Sequence, residues 1–424
     1  MYIPISSWAR MCPLLTLFLT SAMLCAAEPS AMRTMTIAEC LKRAAEQSPD
    51  LKAGAYRIKA AEYRTKKAAR PPNPRLETEI ENFAGSGEVQ SFDAAETTVA
   101  ISQELELGDK RRARIAAAKA VSSVSRSEQA VQLQAVLFET RRASRSLLAA
   151  QQLTRLAEEE LALIREIESV AAKREEAGKA TILETERARA ETAQAQIALD
   201  TRMAEQRDAV RDLAICWGES EPTFDALSDP FDALPPALLP LDTLLLQAAA
   251  NPDLLAAEAR FQASQIEIKA ERSERVPNLE LSAGIRHFRE SEDLGFVAGV
   301  SVELPLYTHN MDGVHAAEAD AEAIRLDAIT ARLKTEARIR QIYARIAALD
   351  SKIQSLKKTA LPLAERALTL IRQAHQQSKA GYLDVLEARR SLVEARLRLI
   401  EAISEYDTQR IYLDRLTNNF SLTN

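Results

Sequence analysis

Apolar and polar positions along the chain follow two rhythms. Over most of the length apolar residues recur three or four apart, the spacing of one helix face. Ile342, Ile346, Leu349, Ile353 and Leu356 step by four, three, four and three, and Val393, Leu397 and Ile400 by four and three. That is heptad spacing, which seats long helices side by side. Four short stretches switch to strict alternation. Leu76, Thr78 and Ile80 alternate with Glu77, Glu79 and Glu81. Val99, Ile101 and Leu105 oppose Thr98, Ser102 and Glu104. Leu279, Leu281 and Ile285 oppose Glu280, Ser282 and Arg286, and Phe296, Val300, Val302 and Leu304 oppose Ser301 and Glu303. These stretches predict half-buried strands over 74–83, 97–105, 277–288 and 296–304.

The pattern is written twice. Pro49-Asp50-Leu51 returns as Pro252-Asp253-Leu254, and Pro74 before "RLETEI" as Pro277 before "NLELSA". Gly178 in "EAGKATILETERAR" aligns with Gly381 in "KAGYLDVLEARRSL", again 203 residues on. The shared offset implies two structural repeats, 28–217 and 243–424, joined by a Pro- and Asp-rich linker over 218–242. Each repeat predicts a short helix (49–70 and 252–275), two strands, a long helix (109–173 and 312–378) and a return helix (181–216 and 382–417). A helix of this length reaches ~100 Å at ~1.5 Å per residue. A return helix and a short helix together match one long helix, so they can stack end to end beside it. Pro362 interrupts the second long helix where the first has Glu159. A kink near 358–362 is therefore expected in that copy alone.

Composition narrows the class. The 424 residues are 46% apolar and 27% charged, too apolar for disorder, with 5% aromatics and 11 glycines, too few for a typical all-β chain. Residues 1–27 stand apart: "MCPLLTLFLTSAMLCAA" follows Arg10 and reads as a secretory signal peptide cleaved near Ala27, the alternative being a membrane anchor. Cys25 follows Met23-Leu24 rather than small residues, which argues against lipidation. Without that leader, 54 basic against 61 acidic residues give a net charge of −7, which offers no general attraction for nucleic acid. Cys40 and Cys216 remain, far apart and in helical pattern, and read as buried thiols rather than a disulfide framework. The Arg and Glu residues along the helices read as solvated faces.

The strands have the length a tilted strand needs to cross a bilayer, and their alternation can set one face to lipid and one to water. The lipid set is Leu76, Ile80, Val99, Ile101, Leu279, Leu281, Ile285, Val300 and Val302. The lumen set is Glu77, Glu79, Glu81, Glu104, Glu280 and Glu303. Phe83, Phe288 and Phe296 stand near the loops, as in an aromatic girdle. A small soluble sheet covering a helix end explains the same alternation. Four strands cannot close a barrel, and an open edge is not tolerated in lipid. Two chains would give eight strands with a filled interior; three would give twelve and a water path. The fold class expected is mainly α, with long coiled-coil helices and a small β part.

The duplicated "PDL…A", "PPNPRLETEIENF", "TTVAISQELELGDKRRARIAAAKA", "ELPLYTHN" and the paired Gly turns resemble the TolC-like outer-membrane efflux channels over nearly the whole chain without its leader. "ENF…SQELELGDKRRARI" is most similar to the cobalt–zinc–cadmium branch. The resemblance implies a homotrimer with a 12-stranded barrel in the outer membrane of a Gram-negative bacterium and a helical periplasmic barrel. It also implies docking to a periplasmic adaptor and an inner-membrane pump. The Gly turns then become periplasmic tips. Gly178, Thr181, Leu183 and Glu184, with Gly381, Leu383, Val385 and Leu386, would face the adaptor. Asp384 and Glu387 would form a carboxylate ring at the entrance, where threefold repetition favours cations. Glu184 departs from the family pattern at the first tip.

Enzyme chemistry is not legible. The histidines, His287, His309, His315 and His375, have no partner at i, i+4 and no Cys–His cluster accompanies them. No G-x-x-x-x-G-K-[ST] is present and no nucleophile–His–acid arrangement can be read. No cofactor is expected. A passive conduit for heavy-metal cations is the reading, beside a channel for drugs or secreted protein and a non-conducting periplasmic scaffold.

Overall fold

The computed structural model describes residues 33–89, 92–232, 238–307, 309–377 and 379–419. The leader expected at 1–27, Cys25, and 233–237 of the linker lie outside these residues. In chain order the elements are β1 (Thr34–Met35), α1 (Ile37–Gln47), α2 (Pro49–Ala68), β2 (Arg75–Glu81) and β3 (Glu96–Leu105). Then come α3 (Lys110–Glu176), α4 (Ile182–Ile215), β4 (Ala226–Leu227), α5 (Leu241–Gln247) and α6 (Pro252–Ser273). The chain ends with β5 (Leu279–Phe288), β6 (Asp293–Val302), α7 (Met311–Ser355), α8 (Leu361–Gln376) and α9 (Tyr382–Leu416).

The helices form four columns. α3 packs along α2 and α4 on one side and along α6 and α9 on the other, and α7 with α8 lies beyond α6 and α9. The end-to-end stacking expected from the lengths is present at two joints. Gly218, just past α4, touches the Pro49 ring that opens α2, so closely that a Cβ there would sit 2.9 Å from Pro49 Cγ. Asn251 makes the second joint. It is fully buried, its Oδ1 accepts from Asp253 N at 2.7 Å, and its amide donates to Leu416 O, the end of α9, at 3.0 Å.

The main core lies at these joints. Leu147, Leu148, Leu213, Ile339, Ile342, Ile346, Ile353, Ile403 and Leu413 are almost fully buried there. The predicted seam of α7 is thus the buried one. On α9 Leu392, Ala402, Ile403 and Tyr406 are among the buried positions, while Val393, Leu397 and Ile400 are half-buried. The linker is not simply a loop: β4 pairs in parallel with β1 beside the core, and α5 begins at Leu241. Cys40 is buried and its thiol is pushed up to about 12 by burial; Cys216 is half-buried, and both are free.

Pro362 acts as expected on the second copy. α3 runs unbroken for 67 residues, whereas the matching helix is divided by a π-turn over Leu356–Ala360, one turn before the proline. A proline withholds an N–H and crowds the preceding turn, and a wider i→i+5 turn relieves both.

Above the helices β2, β3, β5 and β6 form one antiparallel sheet in that order. Its strand order matches the column order. β6 begins three residues earlier than its alternation suggests and ends at Val302, so Glu303 and Leu304 lie beyond it. The cause is the tight turn at 289–292, where Glu292 takes a left-handed φ of 59° and lets pairing start at Asp293 opposite Phe288.

Candidate functional site: a two-faced sheet above helical tips

Register decides the faces of the sheet. Leu76 pairs with Ile101, Ile101 with Ala283, and Leu279 with Val302. Alternation then gathers Leu76, Ile80, Val99, Ile101, Leu279, Leu281, Ile285, Phe296, Val300 and Val302 on one face. This face is open: Phe296 is 93% exposed and Leu76 72%. Glu77, Glu79, Glu81, Glu96, Glu104, Glu280 and Asp293 share the other face with two bases, Arg75 and Arg286. Phe296 stands three residues into β6, opposite Ile285, rather than at a loop. Phe83 and Phe92 contact each other in the β2–β3 loop, ring centroids 5.7 Å apart.

Several of these carboxylates have partners. Arg286 donates to Glu96 and Thr98 at 2.8 and 2.9 Å and reaches Glu81 at 2.8 Å. Ser102 donates to Glu77 at 3.1 Å, and Asn278 to Glu104 at 2.5 Å. Glu104 and Glu280 stand directly opposite each other, an arrangement that like charges disfavour. Gly284 sits where a Cβ would come within 2.7 Å of the Ala100 Cβ, which keeps this face shallow at its middle.

Below the sheet a basic collar ties helix ends together. The Arg111 Nε donates to Ala69 O at 2.9 Å and the Arg114 Nε to Ala68 O at 3.1 Å, so both side chains cap the end of α2. Arg114 also grips Glu106, whose carboxyl its hydrogen bonds hold below the usual range. The charge run "KRRAR" hid these roles, because its residues look alike until α2 is placed beside them.

At the far end the tips are two helical turns of different construction. Gly178 takes φ 68° and ends α3, with Lys179 N bonding back to Arg174 O at 2.7 Å. The equivalent bond in the second copy runs from Lys379 N to Ala374 O at 2.8 Å, an offset of 200 rather than 203. Gly381 is therefore the counterpart of Thr181, not of Gly178. It is the N-cap of α9 at φ −77°, with its N–H donated to Asp384 Oδ2 at 2.8 Å. The identical glycines misled the alignment because they sit on opposite sides of the turn. In the corrected register Glu184 stands where Asp384 does, 200 residues on.

Exposure divides the tip residues further. Ile182, Leu183 and Leu383 are exposed at 69, 56 and 61%. Val385 and Leu386 are buried with Tyr382 against Ile167 and Ala171 of α3, so they face into the bundle and cannot meet a partner at the tip. Thr181, Gly178, Asp384 and Glu387 are exposed and Glu184 half-buried. Behind the tip Arg389, 4% exposed, donates to Glu191 at 2.8 Å and lies 3.7 Å from Glu160. It is a buried charge, not a solvated one. No cluster of three or more His, Cys, Asp or Glu fit to hold a metal occurs among the described residues.

Strands with one apolar and one acidic face, seated on four helical columns, define one sector of a membrane conduit. A family model described as outer membrane efflux protein matches residues 40–219 and again 245–419, and the chain belongs to this family. It is an outer-membrane transport channel with a large helical periplasmic part. The chain is 27% identical to the cobalt-zinc-cadmium resistance protein CzcC of Cupriavidus metallidurans, over 90% of each chain. It is 29% identical to the nickel and cobalt resistance protein CnrC of the same organism, over 69% of this chain and 70% of that one. The solved outer membrane channel CmeC of Campylobacter jejuni superposes with a TM-score of 0.76, at 14% identity over 97% of this chain and 95% of that one, a likeness of fold.

Proposed function

We propose that three copies of this chain form the outer-membrane exit duct for heavy-metal cations, supplied by an inner-membrane pump through a periplasmic adaptor. The observation that carries the reading is the sheet's acidic face. Seven carboxylates to two guanidiniums per chain, repeated around a narrow lumen, favour cations and repel anions. The metal-resistance names of CzcC and CnrC support the same cargo class. The apolar face meets lipid, the exposed Leu183 and Leu383 with Gly178, Thr181 and Glu184 present the tips to the adaptor, and Asp384 with Glu387 line the entrance.

Single-channel recording tests the cargo class. Replacing Glu77, Glu79 and Glu81 by Gln lowers the cation-to-anion permeability ratio several-fold, and an unchanged ratio would sink the reading. A strain lacking the chain loses zinc, cobalt and cadmium tolerance; unaltered tolerance counts against metal as cargo. The lipid face has its own test. Leu281→Arg costs about 2–4 kcal/mol of insertion near the bilayer middle, while Ser282→Arg costs little. Equal effects at both positions would refute the assignment of faces.

A further inference from the structure

A groove of about 350 Å³ lies beside the second joint, between α3 and the meeting of α9 with α6. Its walls are largely apolar, with Leu133 and Leu137 on α3 and Pro252 and Leu255 on α6. Leu133 and Leu255 are 40 and 53% exposed, so the described residues leave the groove uncovered. Gln134 lines it too and is 4% exposed. Its amide nitrogen donates to Arg415 O at 2.6 Å, but its Oε1 is buried with no hydrogen-bond partner among the described residues. Buried acceptors seldom stay unmet in a folded chain. The groove therefore suits an occupant that brings N–H groups as well as apolar side chains.

The first repeat shows such an occupant. Past α4 the chain lies against α3 and buries Phe224 and Leu227 to 3 and 5% exposure. The amide of Gln151, also on α3, holds the Leu227 backbone twice: its Nε2 donates to Leu227 O and its Oε1 accepts from Leu227 N, each at 3.2 Å. Past α9 the same device is half assembled, because Gln134 has used its donor and not its acceptor. The chain leaves α9 at the groove itself. Asn418 lines it with a left-handed φ of 53°, and Asn419 N closes the helix end on Asp414 O at 2.8 Å. Phe420-Ser421-Leu422-Thr423-Asn424 follow, beyond the described residues.

We infer that residues 420–424 fill this groove of their own chain and strap α9 and α6 to α3. In an extended run Phe420 and Leu422 point to one side, Ser421 and Thr423 to the other. The apolar pair covers Leu133 and Leu255, and a backbone N–H of the run meets the Gln134 Oε1. The lengths agree. Five extended residues reach ~17 Å, and the stretch of α3 from Ser127 to Leu137 that lines the groove rises ~15 Å. The strap closes beside the joint that Asn251 makes with Leu416 O. It belongs to each copy by itself, whatever the duct carries.

Thiol labelling tests the strap in the full chain with Cys40→Ala and Cys216→Ala. A maleimide labels Leu133→Cys at least tenfold more slowly than it labels the same variant carrying Phe420→Ser and Leu422→Ser as well. Leu183→Cys, at the far tip, is labelled at one rate in both backgrounds, which shows that the serines leave the fold standing. Equal rates at Leu133→Cys overturn the strap. Oxidation with copper–phenanthroline gives a second measurement, free of the serine changes. Leu255→Cys with Leu422→Cys forms a disulfide within one chain, read as two protected thiols at single-chain mass on a non-reducing gel. Leu183→Cys with Leu422→Cys gives at least tenfold less. A double-mass band in place of the single one assigns the groove to the segment of a second copy and overturns the proposal, as does a yield no higher than that of the tip pair.

Discussion

The two long helices meet the core with the same positions and different chemistry. Carried by the 201-residue offset of the left-handed helix caps Asp109 and Asn310, Ile342 and Ile346 of α7 correspond to Arg141 and Arg145 of α3. The isoleucines are each 1% exposed and fill the seam with hydrocarbon. The arginines enter the same core and pair with α9: Arg145 with Asp407 and Arg141 with Asp414 at 3.4 Å. Arg145 also donates to Phe231 O at 2.7 Å, which ties the linker to the waist. At these two positions one copy gains its cohesion from apolar area. The other buries ions, whose desolvation offsets most of their attraction. The difference teaches that a duplicated plan preserves where a helix packs, not by which force.

Removing one side of each contact separates the two cases most sharply. Arg145→Ala strands Asp407 in the core and costs about 3–5 kcal/mol in thermal unfolding of the purified protein. Ile346→Ala costs a similar 2–5 kcal/mol through its cavity. The double change Arg145→Ile with Asp407→Leu, which copies the α7 solution, recovers most of the loss. If the double variant is as unstable as Arg145→Ala, the ion pair carries more than its burial cost and the comparison breaks.

Acid distinguishes the halves next. Burial raises the Asp407 carboxyl to about 6 despite Arg145, and burial raises Asp414 in the same direction. A carboxyl raised in the fold holds its proton more tightly than in the unfolded chain. Stability therefore rises as pH falls through about 6 towards the unfolded value near 4. It is lost again on returning to neutral pH, an effect on the order of 2–3 kcal/mol. Melting across this window shows that slope, and Asp407→Asn flattens it, leaving the part due to Asp414. A flat profile in the unmodified chain would contradict the burial of Asp407.

The joints and tips give smaller contrasts. Asn251→Ala removes both the α6 cap and the bond to Leu416 O and costs about 1–2 kcal/mol. Its counterpart Ser48 makes no side-chain cap bond, so Ser48→Ala stays within about 0.5 kcal/mol. At the tips Gly178→Ala costs about 1–2 kcal/mol, because only its left-handed backbone resists a Cβ. Gly381→Ala, at negative φ, costs a few tenths. Equal costs at the two glycines would restore the 203-residue pairing that the turn geometry rejects.

Much of this was legible beforehand because it rests on period and length. The alternation of Leu279, Leu281 and Ile285 with Glu280 and Ser282 named both faces of β5, and heptad spacing named the buried row of α7. The short β1–β4 ladder was not legible, since two residues carry no period. Nor were Arg111, Arg114 and Arg389, whose sequence neighbourhood resembles any solvated helix face. Val385 and Leu386 were misassigned because an apolar residue beside a turn can face either way.

By itself the sequence determined the duplicated plan, the lengths of the helices, the four strands with their two faces, and the break at Pro362. Each is a local property, set by side-chain period and by proline's missing N–H. Only the tertiary structure decided the 200-residue register of the tips, the capping of α9 by Asn251, and which arginines are buried. Those depend on what lies across from a residue, and a partner hundreds of positions away leaves no mark on the local pattern.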